Sequence, residues 1–251
     1  MGKKYKALVV HQIDKNRYEK NIEQLDIDNL PKGDVLIRVH YSSLNYKDAL
    51  SCIGNRGVTR HYPHTPGIDV AGIVEYSSSG NFNPGDLVVV ISYDLGQNTP
   101  GGFGQFIRVP SSWVMPLTKG ISLYESMIYG TAGFTAGLAI DKLQRQGILP
   151  ENGPIVVTGA TGGVGSISIA LLSRLGYSVT ASSGKKDADI FLKRLGVSKV
   201  IDRTVLSNKS GFNLLKEEWA GAIDSVGGNT LATLLKSCKQ NGVVVSIGLV
   251  E

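Results

Sequence analysis

The sequence predicts an α/β protein in two parts, a β-rich region followed by a doubly wound parallel sheet. Three observations carry this. Short β-type runs separated by turn residues fill the first half. From about Leu123, strand-like and helix-like segments alternate. A glycine-rich turn, Thr158-Gly159-Ala160-Thr161-Gly162-Gly163-Val164-Gly165, links a strand to a helix in the second part.

The β-type runs of the first half span residues 6–10, 35–41, 72–76 and 87–91. Pro31-Lys32-Gly33-Asp34, Ser79-Gly80-Asn81 and Pro84-Gly85-Asp86 punctuate them. Closely spaced short strands with such turns predict a compact barrel or sandwich. Side chains alternate along a strand, so Val35, Ile37, Val39 and Tyr41 share one face.

Ser122 and Glu125 stand at capping-box spacing and open a helical stretch that includes residues 132–143. Beyond it the pattern predicts strands at 154–158, 177–181, 199–202, 222–224 and 243–247. Helices are predicted between them at 163–175, 186–195, 212–218 and 229–237. Helical crossovers of right-handed sense between parallel strands give a sheet covered on both faces. Five strands follow Leu149, and a full sheet of this kind usually has about six. Either this sheet is short or the sequence is a fragment.

The chain has 251 residues, 42% hydrophobic and 19% charged, which suits one or two globular domains and excludes a disordered chain. The 31 glycines follow no G-X-Y period, so collagen is excluded. Cys52 and Cys238 are too few for a disulfide scaffold or a four-thiolate zinc site and read as small apolar residues. No apolar run has membrane-spanning length. Lys3, Lys4 and Lys6 precede only a short apolar stretch, so no secretory address is read, and Lys6 breaks the myristoylation pattern. A cytoplasmic protein with no membrane partner is the expectation. The net charge of +5 is scattered among 21 acidic residues with no basic block. That balance suits an anionic small molecule, and no motif points to nucleic acid.

The glycine-rich turn follows a strand and opens a helix, the setting in which such a pattern binds a dinucleotide. Small residues let the backbone approach a pyrophosphate, and the helix N-terminus offers unpaired N–H groups to it. Counted as G-x-G-x-x-G, the positions are Ala160, Gly162 and Gly165, with Gly159 placed to supply the tight turn. The ribose 2′ position is read about twenty residues further on. There the chain runs Ala181-Ser182-Ser183-Gly184-Lys185-Lys186, with no acid before Asp187. A carboxylate would repel a 2′-phosphate, whereas Ser183 and the lysines attract one, so NADPH is preferred over NADH. The alternative reading leaves Lys185 and Lys186 as solvated first-turn residues. Cations at a helix N-terminus oppose its dipole, which a bound anion would rationalise.

Four further stretches carry a resemblance: residues 42–50 (Ser-Ser-Leu-Asn-Tyr-Lys-Asp-Ala-Leu), 66–72 (Pro-Gly-Ile-Asp-Val-Ala-Gly), 129–136 (Tyr-Gly-Thr-Ala-Gly-Phe-Thr-Ala) and 219–227 (Trp-Ala-Gly-Ala-Ile-Asp-Ser-Val-Gly). With the glycine-rich turn they resemble the medium-chain dehydrogenase/reductase superfamily, and more narrowly its zinc-independent quinone oxidoreductase and acryloyl-CoA reductase group. The resemblance implies a GroES-like catalytic domain over residues 1–122, a Rossmann domain over 123–251, and an active site in the cleft between them. It also implies continuation past Glu251 with a sixth strand and a return to the catalytic domain, so the sequence reads as C-terminally truncated. A homodimer is implied for the full-length protein. No metal is expected, because Pro66-Gly67-Ile68-Asp69 stands where the zinc branch has Gly-His-Glu, and the run 45–48 replaces its catalytic Cys.

The same resemblance assigns Tyr46 to the nicotinamide end and Thr161, Gly162, Gly163 and Val164 to the pyrophosphate. It assigns Ser183, Gly184 and Lys185 to the 2′-phosphate, Lys199 to a basic cofactor contact and Leu249 to a wall of the nicotinamide pocket. Thr131 joins the cofactor residues near the interdomain hinge, with Thr135 nearby. Packing alone is the alternative for Leu249 and Thr135. The implied chemistry is hydride transfer to the β-carbon of an α,β-unsaturated carbonyl, or to a quinone. Asn45, Tyr46 and Asp48 are the catalytic candidates: amide or phenol to stabilise the carbonyl oxygen, Tyr46 to pass a proton, Asp48 to orient its neighbours. A hydrogen-bonded loop with only Tyr46 in contact is the alternative. Lys47, Arg56 and Arg60 suit a thioester's anionic CoA as well as they suit solvent. A nucleotide-binding protein without turnover stays open beside the reductase.

Overall fold

The computed structural model describes residues 3–207 and 210–248. The chain divides into two compact units, Met1–Thr131 and Ala132–Glu251.

The first unit contains β1 (Lys4–Gln12), β2 (Tyr18–Asp26), β3 (Val35–Tyr41), α1 (Tyr46–Cys52), β4 (Asp69–Ser77), β5 (Leu87–Ile91), β6 (Phe106–Val109) and β7 (Met115–Pro116). β1 and β2 form an antiparallel pair, and the other strands form an antiparallel sheet in the order β6-β3-β4-β5-β7. Val35 and Ile37 are fully buried with Val70, Val74, Val88, Val90 and Ile107, and each such side chain contributes about 1.5–3 kcal/mol. The predicted inward face of β3 runs out of the core at Tyr41, which is exposed.

The second unit contains β8 (Ile155–Val157), α3 (Gly163–Arg174), β9 (Val179–Ser183), α4 (Ala188–Arg194), β10 (Lys199–Asp202), β11 (Trp219–Asp224), α5 (Gly228–Ser237) and β12 (Cys238–Ser246). All five strands are parallel in the order β10-β9-β8-β11-β12. The order reverses beside β8, the topological switch point of a doubly wound sheet. Ile155 and Val157 face one core with Ile169 and Leu172, while Val156 faces the other with Trp219 and Leu234. Both faces of the sheet are therefore buried, as the uninterrupted apolar run of β8 requires.

α2 (Leu123–Arg145) begins in the first unit and ends in the second. Its capping box forms: Ser122 N–H donates to Glu125 Oε2 at 2.8 Å, and Glu125 N–H donates to Ser122 Oγ at 3.2 Å. The helix breaks at Gly130, where φ is 47° and ψ is −150°. The turns before the break pack within the first unit, with the Tyr124 ring 5.6 Å from that of Tyr41.

Residues 212–218, predicted as a helix, are not helical. Phe212 and Leu214 are 71% and 79% exposed, so the segment has no apolar face against a core to hold a helix. Its backbone bonds elsewhere: the N–H groups of Leu215 and Glu218 donate to the carbonyls of Lys236 and Ser237. A short 3-10 helix at Arg203–Leu206, which the sequence pattern did not indicate, follows β10 instead.

Candidate functional site

In the second unit a cavity of about 750 Å³ opens at the C-terminal ends of β8, β9, β10 and β11. The turn after β8 forms one wall through Gly159, Ala160 and Thr161. Gly159 has φ +56°, a left-handed backbone that an L side chain rarely adopts, and a β-carbon there would collide with Ser225 Oγ. A β-carbon on Gly165 would strike the Gly159 carbonyl, so α3 packs tightly on the turn. Gly162 is the N-cap of α3, and Gly163 and Val164 are its first residues. The leading N–H groups of such a helix have no intrahelical acceptor and favour an anion.

A buried network braces this wall. Thr158 Oγ1 donates to Asp224 Oδ1 at 2.5 Å, and Ser225 Oγ donates to the Thr158 carbonyl at 3.0 Å. The Gly227 N–H donates to Asp224 Oδ2 at 2.9 Å. The turns after β8 and β11 are thereby tied together at the mouth of the cavity.

Ser183, Gly184 and Lys185 also line the cavity, and the Lys185 N–H donates to Ser183 Oγ at 3.1 Å. Arg203 joins them. Sequence reasoning chose Lys199 as the basic contact, but Lys199 starts β10 in register with Thr180 and does not line the cavity. Asp202, at the strand's other end, is in register with Ser183, which carries Arg203 to the cavity. The available signal was position along the strand, because ligands in such sheets sit at the strands' C-terminal ends. The tight turn at Gly159, the helix N-terminus that follows it and the pair Lys185 and Arg203 fit a dinucleotide bearing an extra phosphate. Leu249 lies outside the described residues.

The catalytic candidates lie in the first unit. Asn45 caps α1, and the Asp48 carboxylate accepts the N–H groups of Asn45 at 2.7 Å, Gly67 at 3.1 Å and Ile68 at 3.0 Å. Burial nonetheless pushes the Asp48 carboxyl above its ordinary range, helped by the charge of Asp69. Asp48 is thus a buried brace that reaches no solvent, whereas Tyr46, the first residue of α1, is 64% exposed. Asn45 Nδ2 donates to Asp69 Oδ2 at 2.8 Å. Thr131 donates to the same carboxylate from its N–H and its hydroxyl. Asn45, Asp48 and Thr131 are therefore gathered in one network. Asp69 was not among the candidate site residues, although an acid between Ile68 and Val70 is a signal that it has buried partners.

Among the described residues no group of three or more His, Cys, Asp or Glu is placed to hold a metal ion. Cys52 and Cys238 are free, and burial raises both thiol pKa values. No helix among the described residues is long and apolar enough to cross a membrane.

Residues 31–119 match the alcohol dehydrogenase GroES-like domain family, and residues 163–251 match the zinc-binding dehydrogenase family. The acrylyl-CoA reductase AcuI of Ruegeria pomeroyi is 41% identical over 247 residues, 98% of this chain and 74% of that protein. The crystal structure of Escherichia coli K-12 YhdH with bound NADPH superposes with a TM-score of 0.93 at 42% identity, covering 97% of this chain and 74% of that one. The Bacillus subtilis protein yhfP with NAD bound gives a TM-score of 0.94 at 41% identity, covering 99% and 75%. On its glycine-rich turn, its two units and these relatives, the chain belongs to the medium-chain dehydrogenase/reductase family, in the group that holds acrylyl-CoA reductases and quinone oxidoreductases.

Proposed function

We propose that the protein is an NADPH-dependent, zinc-independent reductase of activated double bonds. Its substrate is an α,β-unsaturated carbonyl compound, as an acryloyl-CoA-type thioester or an enone, with a quinone as the variant acceptor. The observation that carries the proposal is the cavity that the turn Gly159–Thr161, which leads into α3, lines together with the cations Lys185 and Arg203. The acrylyl-CoA reductase name of the R. pomeroyi relative and the NADPH of the E. coli one support it.

Thr161, Gly162, Gly163 and Val164 hold the pyrophosphate through the turn and the first N–H groups of α3. Ser183, Gly184, Lys185 and Arg203 hold the 2′-phosphate by hydrogen bonds and charge. When bound, the reduced nicotinamide supplies a hydride to the β-carbon of the substrate. The Asn45 amide and the Tyr46 hydroxyl are the donors for the carbonyl oxygen as negative charge develops on it. Tyr46, open to solvent, delivers the proton that the α-carbon takes up, directly or through water. Asp48 orients Asn45 through its backbone N–H, and Thr131, anchored on Asp69, is a further cofactor contact. The domains are a catalytic one over 1–122 and a cofactor one over 123–251. The protein is cytoplasmic, where its free thiols are kept reduced. The full-length protein is a homodimer, the symmetric assembly commonest among soluble oligomers.

The test is loss of NADPH absorbance with acryloyl-CoA, small enones and quinones. Oxidation of NADPH in preference to NADH is expected with at least one acceptor class. Binding of NADPH with no turnover on any of them overturns the reductase and supports a nucleotide-binding role. Equal affinity for NADPH and NADH overturns the assignment of the 2′-phosphate residues.

A further inference from the structure

Asp69 opens β4 between apolar neighbours and is fully buried. A buried carboxylate is costly unless its oxygens are satisfied. None of the ion pairs among the described residues involves it. Four donors serve it instead. Ser43 Oγ, Asn45 Nδ2 and Thr131 N–H donate to Oδ2 at 2.6, 2.8 and 3.0 Å, and Thr131 Oγ1 donates to Oδ1 at 2.5 Å. Gly130 makes the last two possible. Its left-handed φ turns the chain, and a β-carbon there would stand 2.5 Å from Asp69 Oδ2 and 2.6 Å from Ser43 Oγ.

An ionised carboxylate only accepts hydrogen bonds, so the atom that Asn45 turns toward Asp69 is its nitrogen. That choice sets the plane of the amide. One N–H is spent on Asp69, the second is left as the donor of Asn45, and the charge-assisted bond polarises the group. We propose that Asp69 is a positioning residue for the reduction: it holds Asn45 as an oriented N–H donor for the substrate carbonyl and locks Thr131 to the same carboxylate. This rests on the reductase reading above.

The test compares Asp69→Asn with the exchanged pair Asn45→Asp/Asp69→Asn. In Asp69→Asn a new amide meets four donors with one acceptor atom, and Asn45 turns its carbonyl toward it. We expect kcat for the accepted enone or thioester to fall about 10- to 100-fold, a misplacement-sized loss, with a smaller weakening of NADPH binding as Thr131 loses its anchor. The exchanged pair restores a donor facing an acceptor, so its thermal midpoint recovers, but position 45 no longer donates and kcat does not. Unchanged kcat in Asp69→Asn, or recovery of both midpoint and kcat in the exchanged pair, overturns the proposal and leaves Asp69 a purely structural acceptor. A second readout is free of turnover and needs only the wild-type fold. The Asn45 side-chain amide, assigned in ¹⁵N spectra by its loss in Asn45→Asp, has one proton slowed in solvent exchange. Rapid exchange of both protons overturns the proposal even where Asp69→Asn fails to fold. If the wild-type protein binds NADPH and reduces nothing, the reductase reading fails, and the amide spectrum still decides whether Asp69 orients Asn45.

Discussion

The Arg203 side chain lies across Gly184: its Cδ and Nε are each 2.8 Å from where a β-carbon at position 184 would stand. Arg203 shares the cavity lining with Ser183 and Lys185, the residues proposed for the 2′-phosphate. Arg203→Ala removes a charge-assisted contact of about 1.5–3 kcal/mol, which corresponds to about 10- to 100-fold. The expected result by calorimetry is that much weaker NADPH binding, with NADH affinity altered less than about threefold. Equal losses for both coenzymes would assign Arg203 to the shared part of the molecule.

Gly159→Ala is expected to act differently. The position has φ +56° and no room beside Ser225, so a side chain there costs about 1–3 kcal/mol of backbone strain and displaces the turn. Both coenzymes then bind more weakly by similar factors, and the denaturant midpoint drops. Selective loss of NADPH alone would contradict a pyrophosphate role for the turn.

Tyr46→Phe removes one hydroxyl from an exposed side chain. Stability and NADPH affinity are expected to stay within experimental scatter, while the single-turnover rate of enone reduction falls about 10²-fold or more. A rate equal to wild type leaves the proton to another donor.

Asp48 sets a pH dependence of stability. Its carboxyl is raised above the ordinary 3.8 chiefly by burial, so the fold binds the proton more tightly than the unfolded chain does. Its contribution is fully present below 3.8 and is lost as pH rises through the raised value. Unfolding free energy measured from about pH 4 toward neutrality should therefore decline in wild type relative to Asp48→Asn. The level of Asp48→Asn is lower throughout, because the amide cannot accept all three N–H groups. The informative quantity is the slope of the difference, and a slope of opposite sign would show that the N–H bonds outweigh burial.

Local pattern and long-range pairing divided the work of specifying this fold. Val35–Tyr41, Leu87–Ile91 and Lys199–Asp202 were legible to the residue, because alternation and flanking turn residues are properties of a few consecutive side chains. β2 was not legible: its sequence Tyr-Glu-Lys-Asn-Ile-Glu-Gln-Leu-Asp is mostly polar and exposed. It is a strand because β1 pairs with all of it, from Lys4 opposite Asp26 to Gln12 opposite Tyr18. Residues 212–218 are the converse case, a helix-like sequence with no core to pack against.

The sequence by itself determined the parallel sheet, the glycine-rich turn and the absence of an acid after β9, since each depends on residue type at fixed short spacing. Only the tertiary structure decided that Arg203, and not Lys199, lines the cavity, and that Asp69 gathers Asn45 and Thr131. Those placements depend on strand register and on contacts between residues 24 and 62 positions apart. Chain folding, and no local rule of spacing, brings such residues within hydrogen-bond distance.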